Sequence, residues 1–227
     1  MANVNTTTTT FASFVSAFAS VPAVEAEDSV KGFAPVLPTN VYKVIVKDAF
    51  LNDKSVNGGA QGLTLILGFE DGYDRVFTVF VTSKAGECHF EKNGRKFLLP
   101  GMKLANGLSF LVKGKIMNNY IQDLGKADVK PEKATWTQYG KEQSQTVLKL
   151  GFEGAILWVG ITCKEKQNAE GETLKVNEIS IIANQNGYTP KEVYNQVKAP
   201  MELSSWQNYH EQKATQAFSN APVDLFD

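Results

Sequence analysis

Between Lys84 and Lys115 the chain carries seven cations against two acids, Glu87 and Glu91. Aromatic residues are interleaved with them, in the order Lys84, Phe90, Lys92, Arg95, Lys96, Phe97, Lys103. Cations neutralise phosphates and aromatic faces stack on unpaired bases, and sequence-tolerant binding of a single strand needs both groups together. Trp158 with Lys164 and Lys166 repeats that make-up later in the chain. Each of these residues also has a plainer reading. Phe in a strand usually fills a core, so Phe77, Phe80 and Phe110 are read as core. Phe90 and Phe97 sit beside a turn and cations and are read either as core or as stacking residues. Trp158 is read either as a stacking residue or as packed beneath a C-terminal helix. Isolated loop lysines mostly solubilise; clustering is what singles these out.

Other chemistries find little to work with. There is no phosphate-binding GxxxxGK[ST], no GxSxG, no HExxH and no dinucleotide fingerprint. The two histidines, His89 and His210, leave little for general acid–base work. Cys88 and His89 are neighbours in an extended segment, so their side chains point to opposite faces and make a poor nucleophile–base pair. Cys88 and Cys163 are too few for a disulfide framework and lack metal-ligand spacing, so both are read as free thiols in a reducing compartment. No catalytic residue, metal ligand or cofactor is expected. An enzyme that works through two convergent carboxylates or a metal is the remaining catalytic option.

Net charge is −1, which by itself does not point to a polyanion. The distribution does. Residues 1–40 hold one Lys/Arg and three Asp/Glu, residues 41–150 hold 16 and 11, and residues 151–227 hold six and ten. A basic middle therefore lies between acidic ends.

The elements that must position these groups follow from hydrophobic periodicity. After the Pro-rich "GFAPVLPTN", read as a linker, "VYKVIVKDAFL" alternates with Tyr42, Val44 and Val46 on one face. "LTLILGFE" and "RVFTVFVT" complete a three-stranded meander over 41–82. The Asn93-Gly94 dipeptide turns a hairpin across "CHFEKNGRKFLL". "MKLANGLSFLVKGK" reads as a helix through Leu104, Leu108 and Leu111. Residues 116–146 are polar and weakly periodic and are read as a loop-rich insert. "GAILWVGITCKEK" and "LKVNEISIIAN" read as paired strands. Thr189, Pro190 and Glu192 form a helix start with a capping box, and a second polar helix follows.

Three strands, a helix and two strands is the element order of the five-stranded OB-fold barrel. The expected fold is therefore mainly β: a five-stranded OB-fold barrel with an inserted β-hairpin, a loop-rich insert and C-terminal helices. Residues 1–40 are a flexible arm and linker, 41–186 the barrel domain, 187–216 the helices and 217–227 a flexible tail. No run reaches the roughly 18–20 apolar residues of a membrane span. The apolar "FASFVSAFASVPAV" precedes the first cation, Lys31, so a secretory signal is not expected. Its Phe11, Phe14, Val15 and Phe18 fall at helical spacing and suit an arm that docks on a surface or a second copy. The tail ends "PVDLFD", and Asp224, Leu225, Phe226 and Asp227 suit a tip that seats in a partner's pocket; a frayed end is the plain alternative.

The stretch "VFVTSKAGECHFEKNGRKFLLPG" resembles phage-encoded single-stranded DNA-binding proteins of OB-fold type. The matching features are Val81-Thr82, Lys84-Ala85-Gly86, Phe90, Gly94-Arg95-Lys96, Leu99-Pro100-Gly101 and Asn106. "VGITCKEKQNAEGETLKVNEI" resembles that group's last hairpin, with Val176-Asn177-Glu178-Ile179. The resemblance covers about residues 41–182. It implies a non-enzymatic protein that coats single-stranded DNA during phage replication, recombination or repair, in the host cytoplasm, with the tail recruiting replication or recombination proteins. The alternative is a non-enzymatic β-rich protein-interaction module, such as a phage structural or adaptor component. Under the first reading, changing Arg95 and Lys96 to Ala weakens binding and its salt dependence.

Overall fold

The computed structural model describes residues 34–52, 59–138, 141–167 and 171–219. The chain is mainly β, and the sheet pairings described are antiparallel. The meander is present as β1 (Asn40–Asn52), β2 (Gly62–Phe69) and β3 (Asp74–Phe80). β1 is the hub. Val44 and Val46 face the main core, and a register shift between Val46 and Asp48 then moves Ala49 and Leu51 onto that face. The same bulge turns Phe50 to the opposite face, where it starts a second core.

The other edge of β1 holds two strands end to end. β8 (Ile156–Gln167) pairs with residues 40–45, and β7 (Lys141–Lys149) with residues 50–52. The break between them buries Leu150 and Phe152 completely. It stays tied to β1 through Leu150 N–H to the Ala49 carbonyl and Gly154 N–H to the Val46 carbonyl. β9 (Thr173–Asn184) lies beyond β8, and β6 (Glu132–Gln138) beyond β7. One path across the sheet thus runs β3-β2-β1-β8-β9. Among the described residues β3 and β9 do not pair, so the sheet is not a closed barrel.

Two other pieces reach from the β3 side to the β9 side. α1 (Pro100–Lys113) packs Gly101 on the Phe80 carbonyl at the end of β3, and Gly107 against Ile182 of β9 and Pro190. Toward the start of β3, buried Arg75 donates to the Pro35 carbonyl at 3.1 Å. Leu37 and Asn177 of β9 exchange two hydrogen bonds of 2.8 Å. Residues 34–39 are therefore part of the domain rather than a linker, because buried Leu37 and these hydrogen bonds hold them on the sheet.

The segment 116–146 also differs from the loop-rich expectation. It holds α2 (Met117–Lys126) and the hairpin β6–β7. Asn106 Oδ1 accepts the Met117 N–H at 3.1 Å and so caps α2. Tyr120 donates to the Leu150 carbonyl at 2.6 Å and stacks on Phe152 with centroids 5.6 Å apart. Trp136 and Ala134 of β6, with Val147 of β7, pack on Phe50, Ile66 and Val76 and cover much of the meander's outer face. The helices after β9 are α3 (Pro190–Tyr194), five residues long, and α4 (Glu202–Ser219). No helix of the described residues is long and apolar enough to cross a membrane.

Candidate nucleic-acid interface

The hairpin of the basic segment is β4 (His89–Lys92) and β5 (Arg95–Leu98), a two-stranded sheet separate from the main one. Asn93 and Gly94 both take positive φ, 54° and 70°, as the two-residue turn that matches strand twist requires. The ribbon alone would be marginal. Its base is closed by Leu99 N–H to the Cys88 carbonyl and by the turn joining Ser83 to Glu87, and Pro100 then opens α1.

The register decides which side chains share a face. Phe90 pairs with Phe97 and Lys92 with Arg95. Side chains two apart on a strand point the same way, so these four project from one face. Glu91, Lys96, His89 and Leu98 project from the other. The two Phe rings are 42% and 39% exposed and stack on each other, with centroids 5.7 Å apart and planes at 27°. They are exposed and do not belong to the core. Among the described residues, Lys92, Arg95 and Lys96 form no ion pair. An exposed aromatic pair beside two free cations is an arrangement that can hold a base and its flanking phosphates.

At the foot of the hairpin lies a cleft walled by Phe80, Thr82, Lys84, Leu99 and Pro100. Lys84 is exposed, and Lys103 is exposed on the first turn of α1. Neither forms an ion pair among the described residues. Phe80 is 53% exposed, which corrects its reading as core, whereas Phe77 is buried as expected. Phe110 is half-buried, edge-on to Tyr194 at 6.5 Å.

The second cluster stands apart, on β8 and β9, and among the described residues no sheet pairing joins it to the hairpin. Lys164 and Lys166 both reach Glu178 at 2.6 Å. Their hydrogen bonds, Lys164's first, hold the Glu178 carboxyl below its ordinary value, and the acid offsets one of the two charges. Trp158 is half-buried; its indole N–H donates to the Gln185 carbonyl at 3.2 Å, and Lys43 Nζ stands 5.9 Å from its ring. α4 lays Trp206 against Gly160, two residues on along the same face of β8. The structure therefore brings Lys84, Phe90, Lys92, Arg95, Lys96, Phe97 and Lys103 to one region and leaves Trp158, Lys164 and Lys166 in another.

Groups suited to other chemistry are dispersed. His210 packs between Trp206 and Tyr209, with centroids at 4.2 and 5.1 Å, and burial holds its pKa below the usual imidazole value. Among the described residues no three His, Cys, Asp or Glu gather where they could hold a metal ion. The arm with Phe11, Phe14, Val15 and Phe18, and the tip Asp224, Leu225, Phe226 and Asp227, lie outside the described residues. No protein-family model, curated protein or solved structure matches the chain.

Proposed function

We propose that this chain binds single-stranded DNA with little regard to sequence, through the Phe90–Phe97 face of the β4–β5 hairpin. The observation that carries the reading is the register: it sets two exposed, stacked rings and two cations, which have no acidic partner among the described residues, on one face. Rings of that kind offer a π-face to any base, and the cations release counterions when they meet phosphates. The strand path β3-β2-β1-β8-β9 supports an OB-type reading of the domain, as that of a barrel left open between β3 and β9. The resemblance to phage-encoded single-stranded DNA-binding proteins points the same way. On it rest the further proposals of a non-catalytic role in phage replication, recombination or repair, action in the host cytoplasm, and recruitment of partners through the tail.

The test is a titration of labelled oligo-dT with the wild-type chain and the Phe90→Ala/Phe97→Ala variant. Stacking residues contribute roughly 1–3 kcal/mol each when truncated to Ala, so affinity should fall at least about tenfold. An unchanged affinity in the double variant removes the hairpin from the interface. The second reading, a protein-interaction module, draws on exposed Tyr194, Met201 and Tyr209 around α3 and α4. It takes over if the wild-type chain has no affinity for oligo-dT.

A further inference from the structure

We infer that the cleft at the foot of the hairpin is a second base-binding subsite, in which Phe80 stacks on a nucleobase next to the one held by Phe90 and Phe97. This rests on the proposed single-strand binding and adds a residue and a route to it. The outer face of β2 and β3 is where OB-type domains commonly receive oligonucleotides. Here that face is mostly taken. Val76 packs with Trp136 and Phe50, and Thr78 is engaged by the hydroxyl of fully buried Thr64 at 3.0 Å. Phe80, next in the same outward row of β3, is the one left 53% exposed.

The neighbours of Phe80 suit a nucleotide. Exposed Lys84 stands on the cleft wall for a phosphate, and Leu99 and Pro100 give an apolar flank for a base. Gly101 also lines the cleft, and there the first turn of α1 lies close against the Phe80 carbonyl. Leu99 lies two residues beyond Phe97, about 6–7 Å along an extended chain. A strand stacked on the hairpin thus reaches the cleft within its next nucleotide or two. The base must be unpaired to enter, so the cleft also disfavours duplex.

The test compares wild type, Phe80→Ala, Phe80→Leu and Phe90→Ala/Phe97→Ala for binding to oligo-dT and to an abasic oligonucleotide of equal length. Phe80→Ala and Phe80→Leu should lose about 5-fold or more in affinity for oligo-dT and keep wild-type affinity for the abasic strand. Urea midpoints should match wild type in the Leu variant, which keeps the side-chain bulk. Wild-type affinity of both Phe80 variants for oligo-dT, with the hairpin variant weakened, overturns the subsite and leaves the proposed function standing. Equal loss on both strands also overturns it, since Phe80 then acts through the fold. No binding of oligo-dT by the wild-type chain overturns the function and the subsite together.

Discussion

Replacing Lys92 and Arg95 together with Ala should make DNA binding markedly less sensitive to salt. Both side chains are cross-strand partners on the face that carries Phe90 and Phe97, both are exposed, and neither has an acidic partner among the described residues. If each meets one phosphate, the pair accounts for two released counterions. For a single strand the slope of log K against log salt is about −0.7 per phosphate contact, so the variant's slope should be shallower by about 1.4. Between 50 and 200 mM salt this makes the wild type's loss of affinity about sevenfold greater than the variant's. Lys96→Ala is the control, because Lys96 points to the opposite face, and its slope should stay near wild type. Fluorescence anisotropy with oligo-dT at four or five salt concentrations measures all three. A double variant with the wild-type slope, or a Lys96 variant that shifts as far, would refute the assignment of faces.

Two further outcomes test the scaffold. Gly101→Ala places a Cβ against the Phe80 backbone, which cannot step aside as a side-chain tip could, so urea denaturation should show a loss of about 1–3 kcal/mol despite alanine's better helix propensity; equal or greater stability would show that α1 is not held this closely. Glu192 is buried and accepts N–H groups from Thr189, Met201 and Glu202. Burial alone would raise its pKa, but these hydrogen bonds outweigh it and hold the carboxyl below its ordinary value. A depressed folded pKa contributes stability above the unfolded value of about 4.3 and loses it as pH falls through the folded value. Glu192→Gln, which sets an NH2 among these donors, should cost about 1–3 kcal/mol at pH 7. It should also flatten the acid limb of the urea midpoint below pH 5, and a variant that keeps the wild-type acid limb would contradict this.

Much of the scaffold is legible in the sequence because one face of each strand is buried. Val44 and Val46 on β1, Leu63, Leu65 and Leu67 on β2, and Leu157, Val159 and Ile161 on β8 mark their strands by alternation, and all are buried. The Thr189 capping box is equally plain and is present. The β6–β7 hairpin was hidden for a physical reason. Its inner face meets a small second core, so β6 carries only Ala134 and Trp136 inward, and the half-buried positions of β7 include Gln143 and Gln145. Its partner Phe50 faces that core only because of a bulge that hydrophobicity does not announce. α2 was readable: Met117, Tyr120, Ile121 and Leu124 stand at helical spacing and pack on the core. So was Phe80, three residues from buried Phe77 and hence on the opposite face of a strand.

In the site, the sequence supplied the residue types but not the pairing. Adjacent Arg95 and Lys96 looked like one charge cluster, and the register separates them onto opposite faces while joining Arg95 to Lys92. Lys164 and Lys166 looked equally available, and only folding brings Glu178 between them. A charge count along the chain cannot show such compensation, since Glu178 lies more than ten residues away on the next strand.

The central claim is that the hairpin face receives an unpaired strand. It is tested most directly by titrating the full chain with oligo-dT and with a duplex of equal length at 50 and 200 mM salt. The account predicts tighter binding of the single strand at both concentrations, with affinity falling steeply between them. Equal affinity for the duplex, or an oligo-dT affinity that is absent or indifferent to salt, would contradict it.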